Sequence, residues 1–283
     1  NGKDNYLYEL NYIKAYNGQD FLGHTKIIEK TKKIKTLQDT LANHNITLII
    51  CLAPGKGSFY PEYFPENMIQ AQTDSTNYKQ YARALNKYDV NHIDMNRWFL
   101  HRKKADTCSC MLYPKYGIHW SFYGMLLATD SLARYVETKR DIKLPSVKLT
   151  NFNHSSQLKY TDYDIGKGMN LLFQMQSEPM CYPTVNFIEN NTSQKPQTIV
   201  VSDSFYWSMF NIGVGTKLFS LGGFWYYNQQ IYPDSFEKST MVKNQDIKSE
   251  ILKNKVVVIM STEANLPKFP WGFVDNSLAA FAK

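Results

Sequence analysis

The residues best placed to do chemistry sit in Ile199-Val200-Val201-Ser202-Asp203-Ser204-Phe205, an apolar run that breaks into small polar residues before a helical pattern. A serine at such a turn projects from the carboxyl edge of a sheet, where open α/β sheets place their sites. The following helix N-terminus offers backbone N–H groups and a positive dipole to a developing oxyanion. The same residue types also make ordinary helix caps, so the local pattern supports both readings. A serine hydroxyl becomes a good nucleophile only beside a base. Of the six histidines, His24, His44 and His154 fall in polar loop contexts, His92 precedes a short apolar run, and His101 lies in a basic stretch. His119 differs: it lies in Tyr116-Gly117-Ile118-His119-Trp120, directly before a helical segment, a setting for a half-buried imidazole. Ser204 attacking a carbonyl while His119 takes its proton would be acyl-transfer chemistry.

These two residues must be brought together by the elements around them. Strand and helix patterns alternate, which predicts an α/β fold with a mostly parallel sheet. Helices are expected over 26–43, 77–88, 122–138 and 205–212, with another capped by Asp246. Strands are expected at 46–52, 90–95, 198–201, 217–221 and 256–260, several apolar on both faces. Residues 143–197 are polar and weakly periodic, so they read as an insertion or subdomain in a single domain spanning 1–283, with a helix around 165–175.

Composition removes several classes. The chain has 283 residues, 43% hydrophobic and 14% aromatic, with 14 Gly and 11 Pro, which excludes disordered and collagen-like chains. The net charge of +7 is dispersed, and the sequence lacks a zinc-finger or RNA-recognition signature, so nucleic acid is not an expected partner. Four cysteines are too few for a disulfide scaffold, Cys108 and Cys110 lack paired CxxC spacing, and Cys51 sits in an apolar run; no metal site is expected. No run approaches the roughly 20 apolar residues of a membrane span.

In combination, the motifs resemble SGNH-hydrolase-like proteins of the alginate O-acetyltransferase (AlgX/AlgJ) type. Gly2-Lys3-Asp4-Asn5-Tyr6-Leu7-Tyr8, Ala53-Pro54-Gly55-Lys56 with Tyr60-Pro61-Glu62, His119-Trp120 with Gly124, and Ser202-Asp203-Ser204-Phe205 follow that family's blocks in its circularly permuted order. The resemblance implies a three-layer α/β/α fold, Ser204 as nucleophile, His119 as base, no cofactor, and a polysaccharide partner that either receives an acetyl group from an unspecified acyl donor or loses one, a transferase or an esterase. It also implies a periplasmic or otherwise extracytoplasmic setting, with anchoring through an N-terminal segment outside this chain. The family's oxyanion hole leads to the Ser204 N–H, Gly223 and Asn265. Trp120, Tyr206, Trp225 and Tyr226 are candidate sugar contacts. One position departs from the pattern: the family's Asp two residues before the histidine is Gly117 here. Asp94 and Glu263, after two of the expected strands, are candidates to replace it; a backbone carbonyl would give a dyad. The alternative is a catalytically impaired carbohydrate-binding or polysaccharide-assembly protein on the same fold.

Overall fold

A computed structural model describes residues 1–70, 73–105, 109–233 and 237–282. The N-terminal part contains α1 (Leu10–Tyr16), α2 (His24–Ala42), β1 (Thr47–Ala53), α3 (Lys56–Phe59), α4 (Asn77–Lys87), β2 (His92–Asp94), α5 (Met95–Ala105) and α6 (Phe122–Arg140). Next come β3 (Ser146–Ser155), α7 (Asp164–Gly168) and β4 (Met180–Ile188). The C-terminal part comprises β5 (Gln197–Ser202), α8 (Tyr206–Asn211), α9 (Val214–Lys217), β6 (Ser220–Tyr226), β7 (Gln230–Tyr232), β8 (Thr240–Met241), α10 (Ile247–Leu252), β9 (Val256–Thr262) and α11 (Phe273–Phe281).

Seven strands form one sheet in the order β2-β1-β9-β5-β6-β7-β8. The first five are mutually parallel, and β7 and β8 add an antiparallel edge. Its central strands are buried on both faces, as their unbroken apolar runs require. Strand alternation then sorts the side chains into two cores. Ile49, Cys51, Val200, Val258 and Met260 pack with Leu126, Leu132 and Val136 of α6. Leu48, Ile50, Ile199, Val257 and Ile259 pack on the other face with Ile34 and Leu37 of α2, Tyr81 of α4 and Phe273 of α11. The result is the expected α/β/α arrangement. Among the described residues, no helix is long and apolar enough to cross a membrane.

The segment 143–197 departs from its sequence reading. It forms the antiparallel ribbon β3–β4, outside the main sheet, and the expected helix around 165–175 is only the short α7. Strand β3 is mostly exposed and its pattern irregular, so it offers no clean alternation to read. Cys110 and Cys181 form a disulfide that ties β4 to the loop preceding α6, a cross-link not expected from the cysteine count. Cys51 is a buried core thiol, and Cys108 lies outside the described residues.

Leu37, with no exposed surface, fills the helix side of one core. Leu37→Ala should therefore lower unfolding stability by about 2–5 kcal/mol, read as a lower urea midpoint at an unchanged slope.

Candidate active site

The turn carrying Ser204 follows β5 in the middle of the sheet. Ser202 pairs with Met260 of β9 on one side and Tyr226 of β6 on the other, so Ser204 emerges at the carboxyl edge between them. Asp203 shapes the turn. Its Oδ1 accepts from the Phe205 N–H at 3.1 Å, and its Oδ2 accepts from Thr262 N–H, Thr262 Oγ1 and Asn265 Nδ2 at 2.9, 3.0 and 2.9 Å. A fully buried carboxylate is thus satisfied by four donors, and the turn is locked to the end of β9.

His119 comes from the other side of the chain, just before the N-cap of α6, where Ser121 Oγ accepts from Gly124 N–H at 2.9 Å. Its neighbour Trp120 is fully buried and donates from Nε1 to Ser208 Oγ on α8 at 2.8 Å. That bond fastens the histidine loop to the helix following Ser204. His119 Nε2 stands 2.9 Å from Ser204 Oγ.

The acid that completes the line is Asp164, at the start of α7, whose Oδ2 is in short hydrogen-bond contact with His119 Nδ1. Its Oδ1 accepts from Ile118 N–H at 2.8 Å and from its neighbour Ile165 N–H at 2.7 Å. With one oxygen held by two backbone donors, the other is aimed at the imidazole, fixing the tautomer with a free Nε2 lone pair toward Ser204.

Neither acid expected from sequence performs this role. Asp94 accepts from Tyr78 Oη through both oxygens at 3.0 Å and from Arg97 N–H at 2.8 Å, so it caps α5. Glu263 is buried against α3, accepting from Ser58 N–H at 2.9 Å and from Ser58 Oγ. Asp164 was hidden because the sequence pattern placed it in a weakly structured insertion. Gly117 explains the exchange. A Cβ built there would lie 2.3 Å from the Thr161 carbonyl oxygen, so the backbone leading to Asp164 occupies the space a side chain at 117 would need.

A buried lysine braces the same loop. Lys56 donates from Nζ to the Lys115 and Gly117 carbonyls at 2.8 and 2.7 Å, with Tyr8 and Tyr6 ring faces alongside. Burial lowers its ammonium to about 7, against the opposing pull of Asp164.

The remaining candidates divide. The Ser204 N–H donates to no protein acceptor among the described residues and lies at the nucleophile itself. Asn265 reaches the site but spends its amide on Asp203. Gly223 does not reach it. The strand expected to stop at 221 runs on to Tyr226, and a register shift opposite β5 puts Gly222 and Gly223 inside it, Gly223 at φ +95°. Three residues back from Tyr226, Gly223 is about 10 Å short of the sheet edge. Trp120, Tyr206 and Trp225 are core side chains with at most 2% exposure, so none is a sugar contact. Tyr226 remains half-exposed at the edge, where Tyr227 and Trp271 join it in ring contact; Trp271 carried no sequence signal linking it to the site.

Burial pushes the Glu263 carboxyl up to about 7, with Ser58 hydrogen bonds opposing the shift. The folded chain therefore holds this proton between about pH 4.5 and 7 while the unfolded chain releases it, so this stabilising contribution is lost as pH rises through 7. Urea unfolding from pH 5 to 8 should show a decline in stability for wild type that is flatter in Glu263→Gln.

Comparison with known proteins agrees with this architecture. Residues 1–164 match the family described as SGNH hydrolase-like domain, acetyltransferase AlgX, a span that ends on Asp164 and stops before Ser204. A search of curated proteins finds no match. The fold is similar to the O-acetyltransferase domain of Pseudomonas putida AlgJ, with a TM-score of 0.58 at 16% identity over 98% of each chain. It is also similar to Pseudomonas aeruginosa AlgX, with a TM-score of 0.57 at 12% identity over 97% of this chain and 66% of that one. Bacillus cereus PatB1 aligns with a TM-score of 0.51 at 15% identity, over 86% of this chain and 91% of its own. With the profile covering more than half of its length, the chain belongs to the AlgX-type family of SGNH hydrolase-like acetyltransferase domains.

Proposed function

We propose that the protein is a serine-dependent O-acyltransferase that moves an acetyl group to hydroxyls of an extracytoplasmic polysaccharide. The observation that carries this reading is the continuous hydrogen-bonded line Ser204–His119–Asp164. Ser204 Oγ attacks the acyl carbonyl as its proton passes to His119 Nε2, and Asp164 steadies the imidazolium through Nδ1. The Ser204 N–H, at the head of α8, donates to the oxyanion. Collapse of the tetrahedral intermediate leaves acyl-Ser204, and the leaving group takes the proton back from His119. A sugar hydroxyl then enters, gives its proton to Nε2 and receives the acyl group; water in its place would make the same site an esterase.

The half-exposed rings of Tyr226, Tyr227 and Trp271 beside the nucleophile turn favour a glycan as acceptor, since aromatic faces pack on sugar C–H surfaces. The similar AlgJ structure is described as an O-acetyltransferase domain, which supports the acyl-transfer reading. The Cys110–Cys181 disulfide supports an oxidising, extracytoplasmic compartment. The competing reading, an impaired carbohydrate binder, is motivated by the glycine at 117; the contact of Asp164 with His119 favours the enzyme over it.

Incubation with an activated acetyl ester tests the reading. Wild type should form an acetyl adduct at Ser204, visible by intact mass, and turn over. Ser204→Ala should do neither, and Asp164→Asn should lose about 10⁴ in kcat, as in other Ser-His-Asp systems. Asp94→Asn should stay near wild type. Turnover unchanged in Ser204→Ala would sink the proposal, and a larger loss in Asp94→Asn than in Asp164→Asn would reject the acid assignment.

A further inference from the structure

Beyond the triad, one cluster of metal-ligating side chains has no role in the chemistry above. The Cys110–Cys181 disulfide joins Cα atoms 5.2 Å apart across 71 positions of sequence. His154 shares the spot: its Nε2 lies 3.9 Å from Cys110 Sγ and 3.4 Å from Ser109 Oγ. One ligand atom from each of Cys110, His154 and Cys181 falls within 4.8 Å of the others. This convergence is built into the ribbon, because His154 of β3 and Cys181 of β4 are direct cross-strand partners. Their side chains stand on one face. The loop before α6 delivers Cys110 to that face.

A tetrahedral zinc holds thiolate sulfur at about 2.3 Å and imidazole nitrogen at about 2.0–2.1 Å, so its ligand atoms stand roughly 3.4–3.8 Å apart. The separation of His154 Nε2 from Cys110 Sγ is close to that spacing. The sulfur pair must open to reach it. Two thiolates and an imidazole favour zinc over magnesium or calcium, which take oxygen ligands. The exposure of His154 leaves a path for the ion and a water.

We propose that Cys110, Cys181 and His154 form a redox-gated zinc site: a disulfide when oxidised, and a Zn²⁺ site with water in the fourth position once the bond is reduced. With a trialkylphosphine as reductant, the phosphine is oxidised to its oxide using the oxygen of water. The S–S bond takes up the two electrons, and water's two protons give two thiols. Zinc then displaces one proton from each thiol and takes the Nε2 lone pair of neutral His154. In both states the segment containing His119 and Asp164 is closed at the same point, so the metal replaces the covalent staple. This inference does not rest on the acyl-transfer reading.

Zinc binding to the full chain is the test. Protein is reduced with phosphine under argon, exposed to zinc chloride, desalted, and assayed for metal content and near-ultraviolet circular dichroism. The expected result is about one zinc per reduced wild-type chain and none per oxidised chain, with the aromatic signal retained. His154→Ala keeps the disulfide and changes an exposed residue, so it should fold. Reduced, it should bind zinc at least about tenfold more weakly, and cobalt(II) in the wild type should show a thiolate charge-transfer band that Cys181→Ser lacks. Three outcomes would each overturn the proposal: a folded, reduced chain that holds no zinc; equal affinity in His154→Ala; or uptake only with loss of the aromatic signal.

Discussion

The site depends on a constraint at residue 117, where there is no room for a side chain. The Thr161 carbonyl lies where a Cβ would go, and the chain making that approach carries Asp164 three residues later. A carboxylate cannot reach His119 from its own loop, so it arrives from a distant segment, and the packing that excludes the first supplies the second. Asp164 in turn organises the loop that excluded a side chain, since its Oδ1 holds Ile118 N–H while its Oδ2 meets the imidazole. The Gly166 N–H donates to the Tyr116 carbonyl at 3.1 Å, adding a backbone tie between the same two segments. Gly117 is therefore a consequence of how the two segments pack.

Ser204 is anchored by different means. Asp203 fixes the turn after β5 to the end of β9, and Trp120 reaches from the histidine loop to Ser208. Serine and histidine are thus set by buried polar contacts at the middle of a rigid sheet. Such contacts hold because each buried carboxylate or indole N–H would be costly if left without a partner. Lys56 belongs to this framework. Its ammonium is buried where the Lys115 and Gly117 carbonyls need donors, which makes a costly charge serve as a brace for the histidine loop.

Sequence reading succeeded where local pattern and tertiary role coincide. The buried strands β1, β5 and β9 are unbroken apolar runs, and α2, α4 and α6 keep a helical apolar stripe, so the sheet and its flanking layers were legible. Ser204 and His119 were legible because each sits beside an element boundary with few alternatives. Asp164 was not, since nothing in Tyr163-Asp164-Ile165 distinguishes a carboxylate aimed at a histidine from one facing water. The aromatic assignments failed for a related reason. Trp120, Tyr206 and Trp225 lie near the site in sequence, but strand alternation and helix facing turn them into the core. Tyr226 and Tyr227 escape at the strand end, where alternation stops. Gly223 misled because a bulge extends β6 past two residues that read as its terminus.

The separate origin of the acid divides the site into parts with different supports. Ser204 and His119 stand on the main sheet and on the start of α6, whereas Asp164 stands on the connection between β3 and β4. That connection is held by its backbone ties to 116–118 and, farther out, by the bond from Cys110 to Cys181, which brackets both His119 and Asp164. Loosening the ribbon would leave the Ser204–His119 contact in place while releasing the imidazole's Nδ1 partner. The consequence would fall on the tautomer and orientation of the imidazole. A family motif that keeps its acid two residues from its histidine has no such separation. In this chain, the integrity of a peripheral ribbon and the orientation of a central imidazole are physically the same problem.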